Sequence, residues 1–260
     1  SPMRVIVTRP ASDAPAWVQA LQHAGYEALS LPLIDIQATR HTDAVKQAWA
    51  KWPTYAAAMF VSAQAVRFFF QHRILDLGST RCWATGPGTR QALVDAGVAE
   101  SLIDSPAATA EQFDSEALWQ VVQNQVQPGQ RVLIVRGSDG ADSSNTGNTG
   151  NGRDWLAQQL SAAGAHTDWV AAYERTVPRW TPAQSAQAQA AATDGSVWVF
   201  SSSQAIAHLQ QCLPQQGWAQ SRCLATHERI AQTAHDAGFG QIIRTKPRMA
   251  DVLACLESLA

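Results

Sequence analysis

FVSAQAV at residues 60–66 and FSSSQAI at residues 200–206 are variants of one segment, aligning Ser62 with Ser202, Gln64 with Gln204 and Ala65 with Ala205. Each copy closes a β-branched and aromatic run, passes through a serine and opens a stretch of helix formers, which reads as strand, turn, helix. The likeness extends outward. RCWAT at 81–85 returns as RCLAT at 222–226, and the following helical stretches keep Gln91 with Gln232 and DAG with DAG. RVIVTR at 4–9 is echoed by RVLIVR at 131–136, each followed by a helical stretch ending in Leu-x-x-x-Gly, Leu21 with Gly25 and Leu160 with Gly164. Echoes in the same order identify a duplicated half, and strands alternating with helices of this length predict parallel sheets. The expected fold class is therefore α/β, with two similar parallel-sheet lobes and a small-molecule cleft between them.

The rest of the chain fits that pattern. Strands are expected over 3–8, 27–31, 56–61 and 81–85, and helices over 13–23, 63–71 and 89–96, the last closed by Gly97. Pro32 ends the second strand before LIDIQAT (33–39), which reads as extended and as leaving its lobe. TPAQSAQAQAAATDG (181–195) has a Thr-Pro start and good helix formers, so a surface helix is expected. Residues 137–153, rich in Gly, Ser, Asn and Thr, lack the apolar side chains a core needs and are expected to form a loop.

At 260 residues with 46% hydrophobic composition the chain can bury one large core or two ordinary ones. No apolar run approaches the ~18 residues of a bilayer span, and no basic segment precedes an apolar signal core, so a cytoplasmic protein without membrane partners is expected. Met3 reads as the natural start, with Ser1 and Pro2 a remnant before it. A net charge of -2 and the lack of a Lys/Arg cluster leave no field to attract nucleic acid. Any anion must be bound locally, by a basic set in which only Lys46, Lys51 and Lys246 are lysines and the rest are forked guanidiniums. Cys82, Cys212, Cys223 and Cys255 form no C-x-x-C pair, so reduced thiols and no metal are expected. His227 and Glu228 do not open a zinc motif, since Ala231 stands four residues after His227; a helix-start histidine is expected there.

Ser62 and Ser202 each stand between a strand and a helix. A hydroxyl there caps the helix, and the free N–H groups of the first turn can face an anion; a plain cap and a carboxylate cradle both fit the position. GPGT (86–89) lacks the frames of nucleotide-binding loops and reads as a strand-to-helix turn. No histidine is placed as a base, so neither a Ser-His-Asp nor a Cys-His set is assigned. Tyr173, in VAAYERT, remains the titrating group of interest. A phenol is protonated at neutral pH and can donate to a leaving hydroxyl, and a packed hinge aromatic is the alternative reading.

Taken together, VTRP (7–10), Ser62-x-x-Ala-Val66, TGPGTRQAL (85–93), LIVRG (133–137), GRDWLAQQLSAAGA (152–165), YERTVP (173–178) and ATHERIA (225–231) resemble the uroporphyrinogen-III synthase family along nearly the whole chain. The resemblance implies a discontinuous lobe of residues 1–36 plus 176–260, a second lobe of 40–172, and a two-stranded hinge of 33–39 and 173–178. It implies cyclisation of hydroxymethylbilane, a linear tetrapyrrole rich in carboxylates, with loss of the hydroxyl and inversion of the last pyrrole through a spiro intermediate. No cofactor and no metal are implied. Tyr173 matches the tyrosine that assists hydroxyl departure, and Ser62, Thr89 and Ser202 match positions that hold carboxylates. Ser203, Arg9, Gly86, Gly137 and Arg229 complete the expected substrate-binding set. Many members have threonines where this chain has Arg229 and Ile230, so no threonine role carries over there. The expected partners are the bilane and, transiently, hydroxymethylbilane synthase, with a monomer as the default state. A non-catalytic two-lobed binding or interaction module of the same fold is the alternative function.

Overall fold

The computed structural model of the chain describes residues 3–110, 114–139 and 151–260, with side chains in the last stretch from 154 onward. Strand β1 (Arg4–Val7), helix α1 (Ala14–His23) and strand β2 (Glu27–Ser30) come first, followed by β3 (Asp35–Ala38). Next come α2 (Thr42–Ala50), β4 (Tyr55–Phe60), α3 (Ala63–Phe70), β5 (Arg81–Ala84), α4 (Pro87–Asp95), β6 (Ile103–Asp104), α5 (Ser115–Val122), β7 (Arg131–Asp139), α6 (Asn151–Ala162) and β8 (His166–Thr176). The chain ends with α7 (Pro182–Ala191), β9 (Val197–Phe200), α8 (Ser203–Cys212), β10 (Arg222–Ala225), α9 (Glu228–Asp236), β11 (Gln241–Arg244) and α10 (Met249–Leu259).

Two compact units result, Ser1–Ile36 with Thr176–Ala260, and Gln37–Arg175. The chain passes from one to the other within β3 and again within β8. One sheet runs β11-β10-β9-β1-β2 and the other β3-β8-β7-β4-β5-β6, with parallel registers from β11 to β2 and from β8 to β6. The expected α/β class with two similar parallel sheets is what the chain builds. Strands β6, β5, β4, β7 and β8 stand in the same order as β11, β10, β9, β1 and β2. The repeated segments occupy matching places, FVSAQAV at the β4–α3 junction and FSSSQAI at β9–α8. The first unit is discontinuous because its sheet needs two strands beyond β9, and these come from the start of the chain.

Strand geometry sends alternate side chains to opposite faces, and helices cover both faces of a parallel sheet. In the first unit Ile6, Trp198 and Phe200 pack on one face with Leu209, Trp218 and Phe239, while Val5, Val7, Val197 and Val199 pack on the other with Val252 and Leu256. In the second, Met59, Trp83 and Ile134 meet Leu118 and Leu160. Behind the same sheet Phe60 lies 5.8 Å from Phe69, which stacks on Trp49 at 4.5 Å. The buried indole N–H groups there are satisfied, Trp49 by Phe69 O at 2.8 Å and Trp52 by Leu77 O at 2.9 Å.

Local signals explain the helix ends. Thr181 and Gln184 form a reciprocal capping box at α7, matching the expected Thr-Pro start. The DAG glycines, Gly97 and Gly238, both adopt φ +96° just beyond α4 and α9, a conformation that costs glycine nothing and other residues steric strain. Helix α4 starts two residues before the expected Thr89, because Pro87 has the φ of a first helical turn and no N–H to leave unpaired. The loop expected over 137–153 is corrected at both ends. Gly137–Asp139 continue β7, paired with Tyr173, Glu174 and Arg175, and residues 151–153 belong to α6. A neighbouring strand that satisfies the backbone outweighs the low strand propensity of Gly-Ser-Asp. The remainder of that loop lies outside the described residues.

Among the described residues no helix is long and apolar enough to cross a membrane, and no cluster of three or more His, Cys, Asp or Glu could hold a metal ion. Cys82 and Cys223 are wholly buried, and burial pushes each thiol up to about 12, so both are neutral at ordinary pH. Iodoacetamide at pH 8 should therefore alkylate the half-buried Cys255, and more slowly Cys212, in the native protein, with Cys82 and Cys223 labelled only after denaturation. Mass mapping of the labelled thiols checks this; early labelling of Cys82 or Cys223 would contradict the packing of β5 or β10.

Candidate functional site

In the second unit the polar positions gather where the strands end. Ser62 follows β4, its backbone is extended, and its hydroxyl accepts from Ala65 N–H at 3.1 Å as the cap of α3. Gly86 follows β5 and is the residue before α4; Thr89, in the first turn of that helix, is 8% exposed. Arg90, beside it, donates to Ser105 at 3.3 Å. These are the carboxyl ends of parallel strands, where α/β proteins bind small molecules and where helix N–H groups are free to meet an anion.

Tyr173 reaches the same edge through an irregularity in strand pairing. Strands β7 and β8 run in register as far as Arg136 with Ala171; the next pair is Gly137 with Tyr173, so Ala172 is an extra residue. The bulge sets Tyr173 opposite a residue with no side chain. A Cβ at Gly137 would lie 2.5 Å from Tyr173 Cζ and 2.9 Å from Arg175 Nη1, distances that no carbon can occupy. The ring stacks on Phe68 with centroids 6.0 Å apart, and the residue is only 5% exposed. Its hydroxyl lies 3.1 Å from Ser62 Oγ and accepts from Arg175 Nη1 at 3.5 Å. Arg175 is held in turn by Asp139 Oδ1 at 3.1 Å.

Glu174 points away from this group. Its buried carboxylate accepts from Arg40 backbone N–H at 3.1 Å and from Arg40 Nε at 3.2 Å. The pair ties the start of the second unit to β8, next to the backbone bond from Thr39 N–H to Ala172 O at 3.4 Å. Tyr55, at the opposite end of β4, is a useful contrast. Its hydroxyl donates to Asp168 at 2.7 Å, and burial first, then that carboxylate, oppose loss of its proton. Tyr173 has a serine and a cation as neighbours instead.

The corresponding edge of the first unit carries Arg9 after β1, Ser202 and Ser203 after β9, and Arg229 in the first turn of α9. Ser202 caps α8 by accepting from Gln204 N–H at 3.2 Å, and Ser203 receives a hydrogen bond from Thr233 at 3.1 Å. Arg9 lies over Trp17, 4.2 Å from the ring centroid; burial pulls its guanidinium below the usual range, with Asp13 acting the other way. His227 is the residue before α9, and its side chain meets Thr226 rather than capping the helix.

The structure thus brings Ser62 into hydrogen-bond contact with Tyr173 and places Gly137 under its ring, with Gly86 and Thr89 at the end of the next strand. Reading the sequence missed Arg175, Asp139 and Phe68. Arg175 carried a usable signal: in a strand, residues two apart share a face, so a Tyr-x-Arg sequence sets the guanidinium beside the phenol. Asp139 and Phe68 carried none, since their contacts depend on the pairing of β7 with β8 and on the seating of α3.

Comparison with known proteins places the whole chain among relatives of one kind. The chain is 28% identical to the uroporphyrinogen-III synthase of Salmonella typhimurium over 250 residues, covering 92% of this chain and 94% of that one. Its fold is similar to the crystal structure of uroporphyrinogen-III synthetase from Helicobacter pylori, with a TM-score of 0.59, 15% identity, and coverage of 99% of this chain and 100% of the other. A mutant uroporphyrinogen III synthase from Thermus thermophilus superposes with a TM-score of 0.54 at 15% identity, covering 98% of each chain. Residues 15–254 match the family described as Uroporphyrinogen-III synthase HemD, and the chain belongs to that family.

Proposed function

We propose that this chain is a cytoplasmic lyase that cyclises hydroxymethylbilane to uroporphyrinogen III, with loss of water and inversion of the last pyrrole. Family membership supports the reaction. The observation that carries the assignment to residues is the Tyr173 hydroxyl, set at the carboxyl end of β8 with Ser62 on one side and Arg175 on the other.

The chemistry asks for little beyond this. The bilane hydroxyl leaves as water when its C–O bond breaks toward oxygen and the Tyr173 O–H supplies the proton. The electron pair of the neighbouring pyrrole nitrogen compensates the carbon left behind. That carbon is attacked by the already substituted α-carbon of the last pyrrole, giving the spiro species. The old bridge bond then breaks and re-forms at the pyrrole's other α-carbon, whose proton is lost and restores the phenol. Each carbon–carbon bond change is internal to the substrate, so holding its ends together accounts for much of the acceleration, and general acid help adds on the order of 100-fold.

In this reading the carboxylates meet the helix starts. Ser62 and Ser202 keep the first turns of α3 and α8 ordered so that their N–H groups can receive anions, Gly86 and Thr89 do the same at α4, and Arg229 at α9. Ser203 and Arg9 are further contacts of the first unit. Gly137 serves indirectly, by leaving room for the Tyr173 ring. The protein acts as a monomer and meets hydroxymethylbilane synthase only in passing. A packing role for Tyr173 in a non-catalytic module is the second reading, favoured by the low exposure of the ring.

The decisive experiment is incubation with freshly prepared hydroxymethylbilane and chromatographic separation of the ring isomers. The type III isomer is expected; only the type I isomer, which the bilane forms by itself, would leave the non-catalytic reading standing. Tyr173→Phe should lower kcat by about 100-fold with little change in KM, the pattern of a group used in the transition state rather than in binding. Gly137→Ala should displace the ring and cost a comparable factor while Ser62→Ala, which removes a cap, lowers stability by about 1 kcal/mol. An alanine at 137 with undiminished turnover would show that the ring need not lie where it does.

A further inference from the structure

Tyr173 and Arg175 stand two residues apart on β8, and Gly137 and Asp139 two apart on β7, paired Gly137 with Tyr173 and Asp139 with Arg175. The four therefore share one face of the strand pair. The missing Cβ at Gly137 makes space for the phenol and for the guanidinium together, since an added carbon would crowd Tyr173 Cζ at 2.5 Å and Arg175 Nη1 at 2.9 Å. Within that space Arg175 donates to the Tyr173 oxygen at 3.5 Å, with its guanidinium carbon 5.9 Å from the ring centroid.

Donor counting gives this contact a direction. Guanidinium has only donors, so at Arg175 the Tyr173 oxygen must accept. Ser62 Oγ already accepts from Ala65 N–H and has its own proton to give. When Ser62 donates to Tyr173, both acceptor sites of the phenol oxygen are filled and its own O–H is left to donate to a bound molecule. The charge balance has a direction as well. The Arg175 side chain is 18% exposed and that of Asp139 is 44% exposed, so solvent screens the carboxylate more than the cation. Asp139 bonds Nη2, whereas the phenol oxygen takes its hydrogen bond from Nη1, so the two acceptors use different nitrogens of the guanidinium.

We propose that Arg175 is a positioning residue for the cyclisation: tethered by Asp139, it fixes the Tyr173 hydroxyl and stabilises the negative charge left on that oxygen once its proton has gone to the departing hydroxyl. The proposal rests on the reading of Tyr173 as the proton donor. The proton moves from Tyr173 to the substrate oxygen, which leaves as water with the C–O electron pair. The phenolate then persists beside the guanidinium until the proton lost at the last pyrrole returns to it. A fixed donor aimed at a site of developing charge needs no reorganisation at that moment, which is why such donors act on kcat.

A double-mutant cycle on the full-length protein, following formation of the type III isomer, tests this. Arg175→Gln should lower kcat about tenfold and leave KM within about twofold, while Arg175→Lys, which keeps a cation on a flexible stem, should recover most of the loss. In a Tyr173→Phe background the same Arg175→Gln change should cost less than about twofold, because the oxygen it serves is absent. Asp139→Asn should lower kcat more mildly, again only when Tyr173 is present, and it keeps the test open should Arg175→Gln fail to fold on a thermal melt. A raised KM with unchanged kcat would make Arg175 a substrate contact and overturn the proposal, as would a loss of full size in the phenylalanine background. An unaffected Tyr173→Phe variant would instead end the proton-donor reading itself, and with it the proposal.

Discussion

A parallel sheet covered on both faces leaves its polar chemistry only the strand ends. Along β4, β7, β9 and β1 nearly every side chain is buried, and ladder neighbours satisfy the backbone. Where a strand stops and a helix begins, the first N–H groups of the helix have no partner of their own, and a serine can take only one of them. Ser62 and Ser202 stand at that point in their respective sheets. The same constraint accounts for the composition of the chain, apolar in its strands and polar at the turns that follow them.

Against this regular background the pairing of β7 with β8 is the exception. A single extra residue, Ala172, shifts the register so that a tyrosine faces a glycine. The consequences are local and specific. The phenol sits on bare backbone, the next side chain on that face, Arg175, reaches its oxygen, and Asp139 lies across from Arg175. Glu174 falls on the other face and anchors β8 to Arg40. Alternate residues of one strand therefore divide between holding the scaffold and shaping the site, and bulges recur beside functional groups because they re-aim a side chain without disturbing the rest of a sheet.

Much of the fold was legible because duplication and periodicity are written along the chain. The paired FVSAQAV and FSSSQAI segments located two strand-to-helix junctions, and RCWAT with RCLAT located the next two strands. Helix ends were legible where residues close in sequence settle them, as at Thr181 with Gln184 or at Gly238. The continuation of β7 through Gly137–Asp139 was not, since the composition there favours a loop and only the presence of β8 makes it a strand. Periodicity alone leaves β1 and β2 looking complete; the resemblance implied that residues 1–36 join 176–260, and the sheet order sets β1 beside β9.

The site divides in the same way. Sequence alone supplied the candidates, a phenol with no competing base and serines at helix starts, because residue identity and local spacing are one-dimensional properties. Tertiary structure decided which of them meet: the Ser62 hydroxyl 3.1 Å from Tyr173, the ring over Gly137, and the guanidinium of Arg175 between the phenol and Asp139. Those distances follow from strand register, and register is settled by the burial of two whole sheet faces at once, a sum over many residues that no short stretch of the chain contains.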